Sequence, residues 1–280
     1  MQIPSHLTIK EAVRTSLLSS EYRKKWSTQP DLVFDSRCVS TATSENPSVV
    51  ERKFLRIIDH VLLLHSGPIN KIEVSNSYRD IIIDVNAMAD INQWIVHLTG
   101  KYIKEFVLDI CFDQRYKIPS SLFSCQGLHH LDLNYCWLKP PTMFEGFRNQ
   151  KSLYLNRVTM TQVAFNNMIA GCPLLEKLTL TKIDGLTHIN IDAPNLKFFE
   201  VDEEFESINF DNTFQLSIRH SLVLLQYLAG IMPTKLPKYT IYIKFLYTRM
   251  HQREKEFLLN KMKSTSDEEE DSSPKVRWGI

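Results

Sequence analysis

The chain has 280 residues, 43% of them apolar, and a formal net charge of +1. So small a charge creates no overall field for nucleic acid or an anionic membrane, and the length suits one large domain or two small ones. The five cysteines contain no Cys-x-x-Cys pair. With no basic-then-apolar leader at the start of the chain, they read as reduced thiols in the core of a protein of the cytoplasm and/or nucleus.

In chain order, Thr8-Ile-Lys-Glu11 fits a helix-start capping box. Val13, Leu17, Leu18, Tyr22 and Trp26 then fall near one helical face, and Pro30 stops the helix. Residues 36–47 are polar and read as a loop. Ser48-Val-Val-Glu51 is a second capping box, followed by Val50, Phe54, Ile57, Ile58 and Val61 on one face of an amphipathic helix that Gly67-Pro68 ends. Residues 69–74 read as a strand. Asp90 is placed to cap a helix carrying Ile91, Trp94, Ile95 and Leu98, with Gly100 as its terminator.

A recurring phrase comes next. Ile103-x-x-Phe106-x-Leu108, Leu128-x-x-Leu131-x-Leu133, Gln150-x-x-Leu153-x-Leu155, Leu175-x-x-Leu178-x-Leu180 and Leu196-x-x-Phe199-x-Val201 begin 25, 22, 25 and 21 residues apart. A weaker copy, Ile69-x-x-Ile72-x-Val74, sits 34 residues upstream. This period and internal spacing mark leucine-rich repeats. The expected fold is therefore α/β: a leucine-rich-repeat solenoid with a parallel sheet on its concave face. Phe165, Met168 and Ile169, at helical spacing before Gly171, pair at least one repeat with a helix. Leu186-x-x-Ile189-x-Ile191 and Phe205-x-x-Ile208-x-Phe210 share the spacing out of step with the main copies and are candidates for a second row of strands.

The second and third apolar residues of each phrase must face the core, so their neighbours face the concave side. That nominates Glu105, Val107 and Asp109; His130, Asp132 and Asn134; Ser152, Tyr154 and Asn156; Lys177, Thr179 and Thr181; and Phe198, Glu200 and Asp202. Within this set Asp109, His130, Asp132, Asn134, Tyr154, Asn156, Thr179, Phe198 and Glu200 are the residues expected to bind a target protein, with Tyr154 and Phe198 as exposed aromatic anchors. Gln150 breaks the apolar pattern and is expected to be exposed at the start of its strand.

No enzymatic constellation emerges. His129 and His130 beside Cys125 and Cys136 lack the spacing of a closed zinc site, and neighbouring residues on a strand point to opposite faces. Asp109 and Asp132 read as solvated polar residues rather than a catalytic pair. There is no Gly-x-Ser-x-Gly elbow and no phosphate-binding Gly-x-x-x-x-Gly-Lys. Arg23-Lys24-Lys25 reads as a solvated helix end, not a nucleic-acid contact. No metal, cofactor, nucleic acid or membrane is expected as a partner. Past residue 216 the repeat fades, and the acidic run after Lys263 reads as a disordered tail over 264–280.

Three N-terminal phrases carry a further resemblance. Leu7-Thr-Ile-Lys-Glu-Ala-Val-Arg-Thr-Ser-Leu-Leu-Ser19, Tyr22-Arg-Lys-Lys-Trp26 and Pro30-Asp-Leu-Val-Phe-Asp35 resemble the C-terminal half of a plant F-box. With Gly171-Cys-Pro-Leu-Leu-Glu176 and Ala193-Pro-Asn-Leu-Lys197, the chain resembles plant F-box proteins with leucine-rich repeats over residues 7–247. The resemblance implies the substrate receptor of an SCF-type ubiquitin ligase, whose partners are a Skp-type adaptor, its cullin complex and a target protein. It further implies that Leu7, Ile9, Val13, Leu17, Leu18 and Trp26 face the adaptor. Met1 falls after the place of the first F-box helix, Thr8 stands where the family usually has proline, and no FBD region is recognisable after Thr248. The expected organisation is a partial F-box helical region over 1–35, repeats over 48–250 and the acidic tail. The alternative function is a non-catalytic repeat scaffold that does not engage the ligase.

Overall fold

Aliphatic residues at spacing two can be buried on one side of a strand only if neighbouring strands continue the same row. The computed structural model, which describes residues 26–39, 46–75, 82–202 and 205–213, shows how this chain does so. In chain order the elements are β1 (Asp31–Phe34), α1 (Pro47–Leu64), β2 (Lys71–Ser75), β3 (Ile82–Ile83), α2 (Met88–Thr99), β4 (Glu105–Asp109), β5 (Cys111–Phe112) and β6 (Tyr116–Lys117). They continue with β7 (His130–Asn134), β8 (Cys136–Trp137), β9 (Ser152–Asn156), α3 (Gln162–Ala170), β10 (Lys177–Thr181), β11 (His188–Asp192), β12 (Phe198–Asp202) and β13 (Ser207–Asp211).

Seven strands form one parallel sheet in the order β1-β2-β4-β7-β9-β10-β12. The repeated phrases stand in register, position for position. Phe106, Leu131, Leu153, Leu178 and Phe199 form one row, and Leu108, Leu133, Leu155, Leu180 and Val201 the next. Every member of both rows is buried. The first position of each phrase precedes its strand and is enclosed as well, with Ile69, Ile103, Leu128, Gln150, Leu175 and Leu196 all at most 1% exposed.

Gln150 is therefore not exposed. Its Nε2 donates to the carbonyls of Ser152 and His129, while Oε1 has no donor. The expectation failed because the first position is sealed by the chain that turns into each strand, so the amide nitrogen donates to backbone carbonyls instead of water.

Parallel neighbours need a crossover, and the three helices lie in such crossovers. α1 lies between β1 and β2 and buries Val50, Phe54, Leu55, Ile58, Val61 and Leu62. Its cap differs from the expected Ser48 box. Pro47 is the first helical residue, and Asn46 accepts from Ser48 N at 3.0 Å. Proline's fixed φ suits that first position. Glu51 is thereby free to accept from Asp84 N at 2.8 Å, a tie between crossovers. α2 buries Ile91, Trp94, Ile95 and Leu98 and ends at Gly100 as expected, but Asp90 lies in its first turn instead of capping it. Trp94 Nε1 donates to Asp59 Oδ1 on α1 at 2.5 Å, and Tyr116 Oη to Asn92 Oδ1 on α2 at 2.7 Å. α3 runs between Thr161, whose Oγ1 accepts from Ala164 N, and Gly171. The β4–β7 crossover has a 3₁₀ turn, Ser120–Ser124, in place of a helix.

Three of the main strands are left by a sharp turn. Tyr135, Arg157 and Lys182, the residues just after β7, β9 and β10, all take φ between 52° and 56°. The chain then makes short second ladders: β3 with β5, β6 with β8, and the bridges Trp137 to Thr159 and Thr159 to Asp184. The two out-of-step phrases, β11 and β13, pair with each other in a separate two-stranded parallel sheet, as the second row required. Phe199 and Phe210 meet edge-on at 5.2 Å and couple β12 to β13. Cys136 occupies the position three past Leu133 and donates its Sγ hydrogen to Asn134 O at 3.0 Å.

The 1–35 boundary for a helical region falls too late. β1 lies inside that stretch, yet it is a strand of the sheet with Leu32 and Phe34 buried, because its alternating apolar residues continue the rows of β2. The helix expected before it lies outside the described residues as far as 25, and residues 26–28 form a 3₁₀ turn. The expectations for residues 216–250 and for the acidic tail also lie outside the described residues. No described helix is long and apolar enough to cross a membrane.

Candidate protein-binding face

The side of the seven-stranded sheet opposite the crossovers carries no element among the described residues, so its side chains form three rows set by the register. The first runs Asp31, Lys71, Glu105, His130, Ser152, Lys177, Phe198. The middle one runs Val33, Glu73, Val107, Asp132, Tyr154, Thr179, Glu200. At the strand ends lie Ser75, Asp109, Asn134, Asn156, Thr181 and Asp202. All nine residues nominated for target binding thus share one face.

Charge on this face is paired at one end and unpaired in the middle. Lys71 Nζ lies 3.0 Å from Glu73 and 4.0 Å from Glu105. Burial works against its charge, but Glu73, Glu105 and Asp31 outweigh that and raise its pKa. Lys177 Nζ sits 5.0 Å from the centre of the Phe198 ring, a cation–π contact. Asn134 Nδ2 donates to Asp109 Oδ1 at 2.7 Å.

Asp132 departs from the solvated reading. Its Oδ1 is buried with no donor. Burial, then repulsion from Asp109 and Glu73, lift its carboxyl from the ordinary 3.8 to about 7, against the pull of Lys177. Burial likewise lowers the pKa of His130.

Two further expectations need correction. Thr179 is 3% exposed and Asn134 6%. Each is a short side chain between longer neighbours, with Tyr154 and Glu200 flanking Thr179 in register, so neither offers much surface to a partner. Tyr154 and Phe198 are half-buried, not freely exposed. Burial and the nearby Asp132, Asp109 and Glu200 raise the Tyr154 pKa, against a side-chain hydrogen bond with Thr181 that lowers it. Sequence reasoning also passed over Lys71 and Glu73. The weak upstream phrase held the signal, because Lys71 and Glu73 alternate with Ile72 and Val74. Of the six residues nominated to face an adaptor, five lie outside the described residues, and Trp26 opens the 3₁₀ turn.

Burial pushes the Cys125 and Cys172 thiols up to about 11 and Cys136 higher still, away from the thiolate form. His129 Nδ1 is 2.7 Å from Gly127 O. Among the described residues no three His, Cys, Asp or Glu side chains converge as metal ligands.

Known proteins agree with this architecture. Residues 91–229 match a family model described as FBD-associated F-box protein At5g56370, LRR repeats. The chain is 42% identical over 214 residues to the F-box/FBD/LRR-repeat protein At1g13570 of Arabidopsis thaliana, covering 76% of this chain and 49% of that protein. It is 28% identical over 249 residues to the F-box/LRR-repeat protein At3g59200 of the same plant, covering 84% and 45%. It is 28% identical over 218 residues to the F-box/LRR-repeat protein At1g06630, also of Arabidopsis thaliana, covering 75% and 53%. The chain thus spans about half the length of these curated relatives. No solved structure matches it. Strands repeating in register on one parallel sheet, joined to these likenesses, place the chain in the plant family of F-box proteins with leucine-rich repeats.

Proposed function

We propose that this chain is a substrate receptor of an SCF-type ubiquitin ligase. Its repeats form a solenoid whose concave wall, the open face of the sheet, holds a target protein, and its N-terminal F-box region docks the Skp-type adaptor on the cullin. The receptor itself makes and breaks no bonds, and it works in the cytoplasm or nucleus. The observation that carries this reading is the seven-stranded sheet. One of its sides is sealed by crossovers, and the other displays acids, amides and half-buried aromatics in three registered rows. Such a surface mixes charged groups that steer encounter with aromatic groups that supply contact area.

The likeness to F-box proteins supports the adaptor as partner. Co-purification of the full chain with a Skp-type adaptor tests it. Stable, stoichiometric association is expected. A chain that keeps its folded melting transition yet leaves the adaptor unbound would favour a scaffold that holds its target without delivering ubiquitin.

A further inference from the structure

The open face contains a group of acceptors with no donors. Asn134 is 6% exposed, and its Nδ2 donates to Asp109 Oδ1, which orients the amide and leaves Oδ1 unpartnered. Two residues earlier on β7 and on the same side, Asp132 Oδ1 also lacks a donor. β4 and β7 are adjacent strands, about 4.8 Å apart in any sheet, so Asp109, Asp132 and Asn134 share one small patch. Tyr154 stands beside Asp132 in the β7–β9 register.

The groups facing Asp132 do not neutralise it. β4 brings Glu105 and Asp109, β2 brings Lys71 and Glu73, β7 its own His130, β9 Tyr154, β10 Lys177 and β12 Glu200. Lys71 is engaged by Glu73 and Glu105, and Lys177 lies over Phe198. Among the described residues, neither lysine forms an ion pair with Asp132 or Asp109.

We propose that this notch receives the guanidinium of an arginine on the captured protein. The inference rests on the receptor reading above and names the chemistry that the open face selects. A guanidinium presents five N–H donors in a flat fork that can reach acceptors on two strands at once. Its plane stacks on an aromatic face such as Tyr154. Its charge compensates the covered oxygens of Asp132 and Asn134 without touching them, through contact with the Asp132 and Asp109 carboxylates. A divalent ion fits less well, because it needs about six oxygens and only two carboxylates and one amide converge here. Binding requires ionised Asp132, whose carboxyl titrates at about 7, so affinity rises with pH.

The full chain, with ¹⁵N-labelled asparagine, is titrated with N-acetyl-arginine methylamide, its citrulline counterpart or calcium chloride. The resonance followed is the side-chain amide that vanishes in Asn134→Ser. The arginine probe shifts it saturably, and the apparent affinity falls about tenfold from pH 8 to pH 6, the ratio of ionised Asp132 at those values. Citrulline has no effect. Asp132→Asn abolishes the response while the melting transition persists, and Asp109→Asn serves if that variant does not fold. No shift, an equal shift with citrulline, a tighter response to calcium, or unchanged binding in the folded variant overturns the proposal. The probe acts without any captured protein, so failure here leaves the receptor reading standing, and failure of adaptor co-purification leaves the notch standing.

Discussion

Asp132 shows how a single residue can depart from the rule of its position. Alternation along β7 put it on the open face, and an open-face carboxylate is ordinarily solvated. Three-dimensional context decided otherwise. Tyr154 and Val107 stand beside it in register, and Asp109 and Glu73 add repulsion, none of which is visible within one repeat. The consequence is a pH dependence of known sign. The folded chain holds a proton on Asp132 up to about pH 7, whereas an unfolded aspartate has released it near 3.8. This residue therefore adds a penalty that is absent below pH 4, grows through that window and is complete above pH 7. Asp132→Asn is expected to raise unfolding free energy on the order of 2 kcal/mol at pH 8, allowing for solvent screening, with the gain vanishing toward pH 4. Urea denaturation at the two pH values measures it, and a gain independent of pH would refute the assignment. Gln150 departs in the same direction, for a different reason. Its polarity suggested exposure, but the enclosure of the first phrase position is a property of the stacked units, which no single side chain announces.

The elements were largely legible because their signals are local. The five main phrases became β4, β7, β9, β10 and β12 in the register their spacing demands, and Thr161 and Gly171 bracket α3 as capping chemistry requires. Ends were less legible where two signals competed. Asn46-Pro47 outranked Ser48, and Asp90 lost the cap to a preceding 3₁₀ turn. β1 was hidden because its four residues carry too short an alternation to stand apart from the helix signal before them. Two glycines that end helices make contrasting predictions. A Cβ on Gly171 would run into the Glu145 carbonyl of the preceding unit, while one on Gly100 would meet only His97 O at 3.7 Å. Both have negative φ, so the difference is one of space. Gly171→Ala is expected to cost more than about 2 kcal/mol by forcing two units apart, and Gly100→Ala to change stability by less than about 1 kcal/mol. Equal thermal shifts in the two variants would show that the close approach at Gly171 is unimportant.

At the scale of the molecule, stacking repeats produces two unlike sides from one pattern. The aliphatic rows seal against the crossovers, and the residues between them line the open face. The pattern made the side legible, but not its strength at each point. Thr179 and Asn134 proved buried, Asp132 uncompensated, and Tyr154 and Phe198 half covered by their own neighbours. Such differences arise from side-chain lengths on adjacent strands, some twenty residues apart in the chain, and not from the repeat itself.

The most direct measurement is quantitative affinity capture from plant extract with three forms of the full chain: unaltered, Tyr154→Ala with Phe198→Ala on the open face, and Val163→Ala with Leu174→Ala on and just after α3, where both side chains are exposed. With all three melting as folded proteins, the proteins retained by the unaltered chain should be lost from the open-face variant, at least tenfold for a pair of aromatic anchors, and kept by the α3 variant. Retention by the open-face variant together with loss from the α3 variant would contradict the account.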